Sequence, residues 1–157
     1  MSSRRTQNRR LKTRKNRKIT TSIQSIQSIQ KFEQEIVVKF LSLLNIVKIY
    51  HWKTHSYATH KATDELYSKL NDDIDKFMEV LLGKIGNRVD LTKVKSIPIL
   101  DFTSLEQMKK AIADFKSYLV DLDSNKVMNI MSNSDLYNIR DEILGDLNQF
   151  MYLLTFN

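Results

Sequence analysis

The stretch Tyr50 to Leu82, YHWKTHSYATHKATDELYSKLNDDIDKFMEVLL, holds the chain's three histidines, its single tryptophan and its densest group of carboxylates. From His60 to Leu82 it contains neither glycine nor proline, and Leu66, Tyr67, Leu70, Ile74, Phe77, Met78 and Leu81 recur at three- and four-residue steps. That recurrence marks one face of an α-helix and predicts a single long helix from Ala58 to Leu82. His60 and Asp64 lie one turn apart on it, as do Asp75 and Glu79, so each pair presents two metal-competent side chains on one face. Asp64 and Asp75 differ by only about 20° around the axis, which puts both pairs in one stripe. Along the axis His60 and Asp75 are separated by about 22 Å, too far for one ion to be held by both pairs of a single chain.

The pattern is symmetric about a point between Lys69 and Leu70. If the helix crosses its own copy antiparallel there, His60 and Asp64 of one subunit face Glu79 and Asp75 of the other, and the dyad creates two equivalent inter-subunit sites. Imidazole with several carboxylates suits Fe(II) better than a structural zinc, which favours thiolates, and the chain has no cysteine.

The segment HWKTHSYATHKATDELYSKLNDDIDKFME resembles the ferroxidase region of Dps proteins, the DNA-protecting mini-ferritins. The histidine beside the tryptophan matches His51, the second histidine matches His60, and the acids match Asp64, Asp75 and Glu79; the spacing from His60 through Glu79 agrees without a gap. The interval from His51 to His60 is shorter than in the family, and Met78-Glu79-Val80 replaces the family's Ala-Glu-Arg. The resemblance implies a non-haem iron site between subunits, formed by His51, His60, Asp64, Asp75 and Glu79. It also implies a role for Trp52, read from the sequence first as a packing residue, in intercepting one-electron oxidants, and a dodecameric shell built from two-fold dimers. His55, one turn after His51, makes a rival metal pair with it, although its place in the turn after the first helix argues for a loop residue.

At 157 residues the chain is the size of one domain and can bury roughly 70% of its unfolded surface. Three glycines, one proline and an apolar fraction of 41% favour an all-α bundle over a loop-rich or β fold. The most apolar run, Ile36 to Tyr50, is interrupted by Lys39 and Lys48 and is too short to span a bilayer, so a soluble protein is expected.

The formal charge of +7 belongs to one end. Residues 1–18 contain Arg4, Arg5, Arg9, Arg10, Lys12, Arg14, Lys15, Arg17 and Lys18 and no acid, which leaves 16 basic against 18 acidic residues in the remainder. With almost no apolar residues, residues 1–20 read as a disordered arm. Such an arm binds DNA or RNA by releasing counterions from phosphates. Basic tails of this kind occur in some Dps proteins. A solubilising tail, a nuclear import signal around Arg10 to Lys18 and an organellar targeting peptide are other readings of the same composition.

Residues 21–157 then divide into four helices. SIQSIQSIQ, Ser22 to Gln30, places isoleucine at a strict three-residue period that drifts by about 60° per step around a helix, and serves as a lead-in. It reads equally as a slippage repeat without function. Helix one runs from Ile29 to Thr54, with Phe32, Ile36, Val37, Phe40, Leu41, Leu44, Val47 and Tyr50 on its apolar face. Asn87 to Phe102 is a long crossover of the ferritin-like kind, part of which, through Val89, Leu91, Val94, Ile97 and Ile99, is expected to pack as a short helix or an extended segment; family members carry a short helix there. Thr103 and Glu106 stand at capping-box spacing before the third helix, and Ser134 is a good N-cap for the last. DLYNIRDEILGDLNQFMYLL also resembles the final Dps helix.

The expectation is therefore a ferritin-like four-helix protein with a basic arm, which oxidises and stores iron and protects nucleic acid. Asp121, Asp123, Asp141 and Asp146 are candidates for mineral nucleation if they face inward. The alternative is a scaffold without enzymatic activity that condenses or packages nucleic acid, its carboxylates solvated, as Asp72 and Asp73 are expected to be. A cytoplasmic or nucleoid-associated protein is expected, with virion or nucleus as other locations. The abundance of Asn, Ile and Lys is similar to that of ferritin-like proteins of large DNA viruses.

Overall fold

The computed structural model describes the backbone of residues 3–130 and 133–156, and side chains from Gln24 to Asn129 and from Asn133 to Phe156. All regular structure among them is helical: α1 Ser3–Lys53, α2 Tyr57–Ile85, α3 Leu105–Asp121, a 3-10 turn Leu122–Ser124, α4 Lys126–Ile130 and α5 Ser134–Leu153. No helix among the described residues is long and apolar enough to cross a membrane.

α1 begins at Ser3 rather than near Ile29, so the basic segment read as disordered is drawn here as the first turns of a 51-residue helix. Nothing in the sequence interrupts it, because the first glycine is Gly83 and the only proline is Pro98, while Lys, Arg and Gln are good helix formers. The nine basic side chains of that segment lie outside the described side chains. Within the isoleucine repeat Ile26 is exposed and Ile29 half-buried, as a three-residue period drifting off the buried stripe requires.

Ser56 caps α2 by accepting from the Thr59 amide at 3.2 Å, and Gly86 ends the helix at φ 70°, its amide donating to the Leu82 carbonyl. Before α3 the capping box is Ser104 with Gln107, one residue later than the Thr103 and Glu106 pairing expected. Gln107 is the residue that reaches back, its amide oxygen accepting from the backbone of both Thr103 and Ser104. At the start of α5 the N-cap is Asn133, which makes no side-chain cap hydrogen bond, rather than Ser134. The buried Asn133 amide instead donates to the Met128 carbonyl within α4.

α2 lies antiparallel to α5, as shown by contacts from Lys69 to Gln149, Lys76 to Glu142 and Lys84 to Asp135. α1 and α2 are joined by a three-residue link and pack along their length. α3 runs antiparallel to α1, with Phe115 beside Phe40 and the Tyr118 ring beside Lys39. Arg140 of α5 closes the fourth side through the Leu119 carbonyl and Asp123. The shared core is aromatic at its centre, where Phe40 meets Phe77 edge-on at 5.2 Å. Each of these phenylalanines is fully buried and contributes roughly 3 to 5 kcal/mol relative to alanine.

Because α2 and α3 point the same way, their connection must travel the length of the bundle. It carries no helix, only a turn closed by the Val94 amide on the Leu91 carbonyl, so that of the two forms expected there, a short helix or an extended segment, the helix is not formed. Its two ends are fastened to α1. Buried Glu33 accepts from the Asp90 amide at 3.0 Å and Gln34 donates to the Asp90 carbonyl at 2.9 Å, while Lys53 pairs with Asp101 at 2.5 Å.

Candidate metal centre

The last turn of α1 and the first turns of α2 bring His51 and His60 together. Their rings stack at 3.9 Å between centroids, inclined by 24°. His60 Nδ1 lies 3.1 Å from the His51 carbonyl, and His51 Nδ1 lies 3.1 Å from the His60 carbonyl. A carbonyl oxygen only accepts, so each Nδ1 carries a proton and donates to the other histidine's backbone. In the neutral form of each ring this arrangement leaves Nε2 as the lone-pair donor, the form in which imidazole binds a metal ion.

Thr63 reinforces this choice of tautomer. Its hydroxyl is fully buried and donates to the Thr59 or His60 carbonyl, at 2.8 and 2.9 Å, leaving a lone pair to accept from His51 Nδ1 at 3.2 Å. Replacing Thr63 with Val should cost about 1 kcal/mol of stability, the net worth of a hydrogen bond. It should also weaken the Nδ1–H preference of His51, read from the ¹⁵N shifts of its ring, and Ser should restore that preference. An unchanged tautomer in the Val variant would remove Thr63 from this role.

Asp64 stands next to the pair, its carboxylate 4.0 Å from His51 Nε2 and its side chain 57% exposed. His55 lies in the link between the helices, exposed, and makes no hydrogen bond or ion pair among the described residues; the structure joins His51 to His60 and not to His55. Asp75 and Glu79 are exposed on the stripe of α2 that continues from His60 and Asp64, about 22 and 28 Å farther along the axis from His60. Within one chain, no group of three or more His, Asp or Glu among the described residues is close enough to hold a metal ion. Trp52 is 70% exposed and Tyr57 75%, flanking the histidines at the same end. Lys48 extends between the Trp52 and Tyr67 rings, 6.0 and 4.7 Å from their centroids.

Residues 51–154 match the model of a family of unknown function, DUF5856. The chain belongs to that family. The DUF5856 match begins at His51 and takes in the histidine pair, the whole carboxylate stripe, the crossover, α3 and nearly all of α5, leaving most of α1 outside. Over 54 residues the chain is 44% identical to an uncharacterized 14.6 kDa protein in the mobD-ri intergenic region of Enterobacteria phage T4; the segment is 32% of this chain and 42% of the phage protein. The chain thus spans less than half the length of that curated relative. No solved structure matches it.

The DUF5856 region also holds polar groups whose placement the sequence did not reveal. Asp73, expected to be solvated like exposed Asp72, is half-buried against α5. Burial, then the neighbouring Asp146 and Glu142, push its carboxyl up to about 6, with Lys76 opposing. Asp146 is itself held by Lys69 at 3.3 Å. Asp123 and Asp141 are occupied by the buried Arg140, at 2.5 and 2.8 Å, and Asp121 is exposed.

Because Asp73 holds its proton more tightly folded than unfolded, its contribution favours the folded state below about pH 4 and is lost as the pH rises through about 6. Asp73→Asn should therefore raise the unfolding free energy at pH 7 by about 1 to 2 kcal/mol, after allowance for solvent screening. It should also flatten the stability profile between those pH values in urea titrations. A variant less stable at pH 7 would show that the carboxylate is stabilised by its lysine neighbours rather than penalised by its acidic ones.

Proposed function

We propose that the chain is a ferritin-like, Dps-type subunit whose substrate is Fe(II), oxidised at sites shared between two copies and stored as a ferric product inside a dodecameric shell. The observation that carries this reading is the reciprocal histidine lock: two imidazoles with Nδ1 engaged on backbone carbonyls sit with the Asp64 carboxylate at one end of a stripe, and Asp75 and Glu79 at the other. An antiparallel copy of α2 would bring the missing acids to each end. The helix order supports the same reading, since two antiparallel pairs joined by a full-length crossover is the ferritin-like arrangement.

In this reading His51 and His60 supply nitrogen ligands that admit Fe(II), while Asp64, Asp75 and Glu79 supply hard anionic oxygens that favour Fe(III) once an electron has left. Two ferrous ions give one electron each to one hydrogen peroxide, which with two protons becomes two waters; molecular oxygen is the alternative acceptor. Exposed Trp52, next in sequence to His51, is placed to donate an electron to a stray one-electron oxidant. Arg4, Arg5, Arg9, Arg10, Lys12, Arg14, Lys15, Arg17 and Lys18 would hold DNA or RNA against the particle that consumes peroxide.

A second reading keeps the nucleic-acid function and drops the oxidation. The exposure of Asp64, Asp75 and Glu79 in the single chain favours it, because solvated carboxylates are also what a scaffold displays. Anaerobic Fe(II) titration followed by a peroxide pulse separates the two. Saturable Fe(II) binding with growth of ferric absorbance is expected of the oxidase; binding without such growth leaves the scaffold.

A further inference from the structure

On the flank of α1 away from α2, a groove with a volume of about 590 Å³ lies between α1 and α3 beneath the crossover. That volume falls in the ordinary range of small-molecule sites. Its floor is apolar, formed by Leu43, Ile46 and Phe115. The crossover supplies Pro98, Leu100 and Phe102 as a wall, and Leu100 remains 43% exposed although it borders this apolar space. The crossover is irregular between its two fastenings at Asp90 and Asp101, so it can shift without unfolding a helix.

The charged groups that line the groove are Lys39, Lys110 and Asp114. Lys110 is neutralised by Asp114 at 2.6 Å. Lys39 forms no ion pair among the described residues; its ammonium is held 5.3 Å from the centroid of the Tyr118 ring, which lines the same space. Glu35, one turn before Lys39, also acts on Tyr118 but does not line the groove, and an apolar slot with one cation free of an ion pair on its wall is complementary to a slender hydrocarbon that ends in a negative charge.

We infer that the groove between α1, α3 and the crossover is a binding site for an anionic amphiphile, a long-chain carboxylate whose tail lies along Leu43, Ile46 and Phe115 and whose head group pairs with Lys39. The groove lies on the opposite flank of α1 from the carboxylate stripe, so the inference stands or falls independently of iron chemistry.

The test uses the full chain and a dansyl-labelled undecanoate as fluorescent probe, displaced by palmitate or by the uncharged cetyl alcohol. Saturable binding of one probe per chain is expected, with palmitate displacing it at least about fivefold better than the alcohol, the discrimination of a single charge-assisted contact. Lys39→Glu should remove that preference while leaving the alcohol's affinity unchanged. Ala111→Trp, which fills the groove, should abolish binding with helical circular dichroism retained. Equal affinities for acid and alcohol, or probe binding that survives Ala111→Trp in a folded chain, would overturn the assignment. So would self-association of the free chain that is lost in the same variant, since the groove would then belong to a second copy.

Discussion

A chain carrying His60→Ala and a chain carrying Glu79→Gln are each expected to oxidise Fe(II) at less than about one hundredth of the wild-type rate, yet to regain about a quarter of it when unfolded together and refolded as a mixture. The value follows from the dyad. Each single variant alone has one defective half in every site. In a mixed pair the two defects fall together in one site, and the other receives an intact His51, His60 and Asp64 from one chain and an intact Asp75 and Glu79 from its partner. Random pairing makes half of the dimers mixed, and each of these has one good site of two. A site contained within one chain cannot be rescued in this way, because neither variant holds a complete ligand set. Failure of the mixture to exceed its components would therefore remove the inter-subunit arrangement, even if iron is still bound.

The α2 register that underlies this prediction was legible in the sequence because a helix reports its faces through the period of its apolar residues. Leu66, Leu70, Ile74, Phe77 and Leu81 are all buried, and Asp64, Asp75 and Glu79 are exposed on a common stripe. The juxtaposition of His51 and His60 was legible less directly. Their place at the two sides of a short link made it plausible, but the exchange of Nδ1–carbonyl hydrogen bonds depends on how sharply the chain reverses, and periodicity carries no information on that. Thr63 went unnoticed for a similar reason: a threonine on the buried stripe reads as small packing until the histidine beside it is in place.

Helix ends were the poorest readings. Thr103 and Ser104 are both competent caps, and the choice went to Ser104 because Gln107 can satisfy both backbone amides at once. The start of α1 could not be read from hydrophobic pattern at all, since residues 1–18 have almost no apolar residues to show a period. Asp73 fails differently. It lies at the edge of the buried stripe, and a single helix's pattern does not tell which of its two edges a further helix will cover; here α5 covers Asp73 with Asp146 and Glu142.

Deleting residues 1–18 is expected to lower affinity for duplex DNA by at least about three orders of magnitude at 50 mM salt. The segment carries nine positive charges and no negative one, and its removal leaves a chain with more acids than bases. If most of these side chains meet phosphates, each releases a condensed counterion, and the slope of log affinity against log salt should be about −6 to −8 for the intact chain and near zero after deletion. The helical backbone of α1 through this segment adds a condition that a disordered arm would not. Nine cations spread around a rod cannot all face one duplex, whereas a flexible arm can turn every one of them toward phosphates. Placing two prolines at Gln7 and Asn16 distinguishes the cases: a helix would be broken there, by roughly 3 kcal/mol per proline, without loss of charge. An unchanged salt slope in the proline variant means that charge and reach suffice, and a slope that becomes steeper means that the helix withholds part of the charge. Tight, salt-sensitive binding after deletion of residues 1–18 would move the interface elsewhere on the bundle, and the protective role proposed for the basic segment would fall with it.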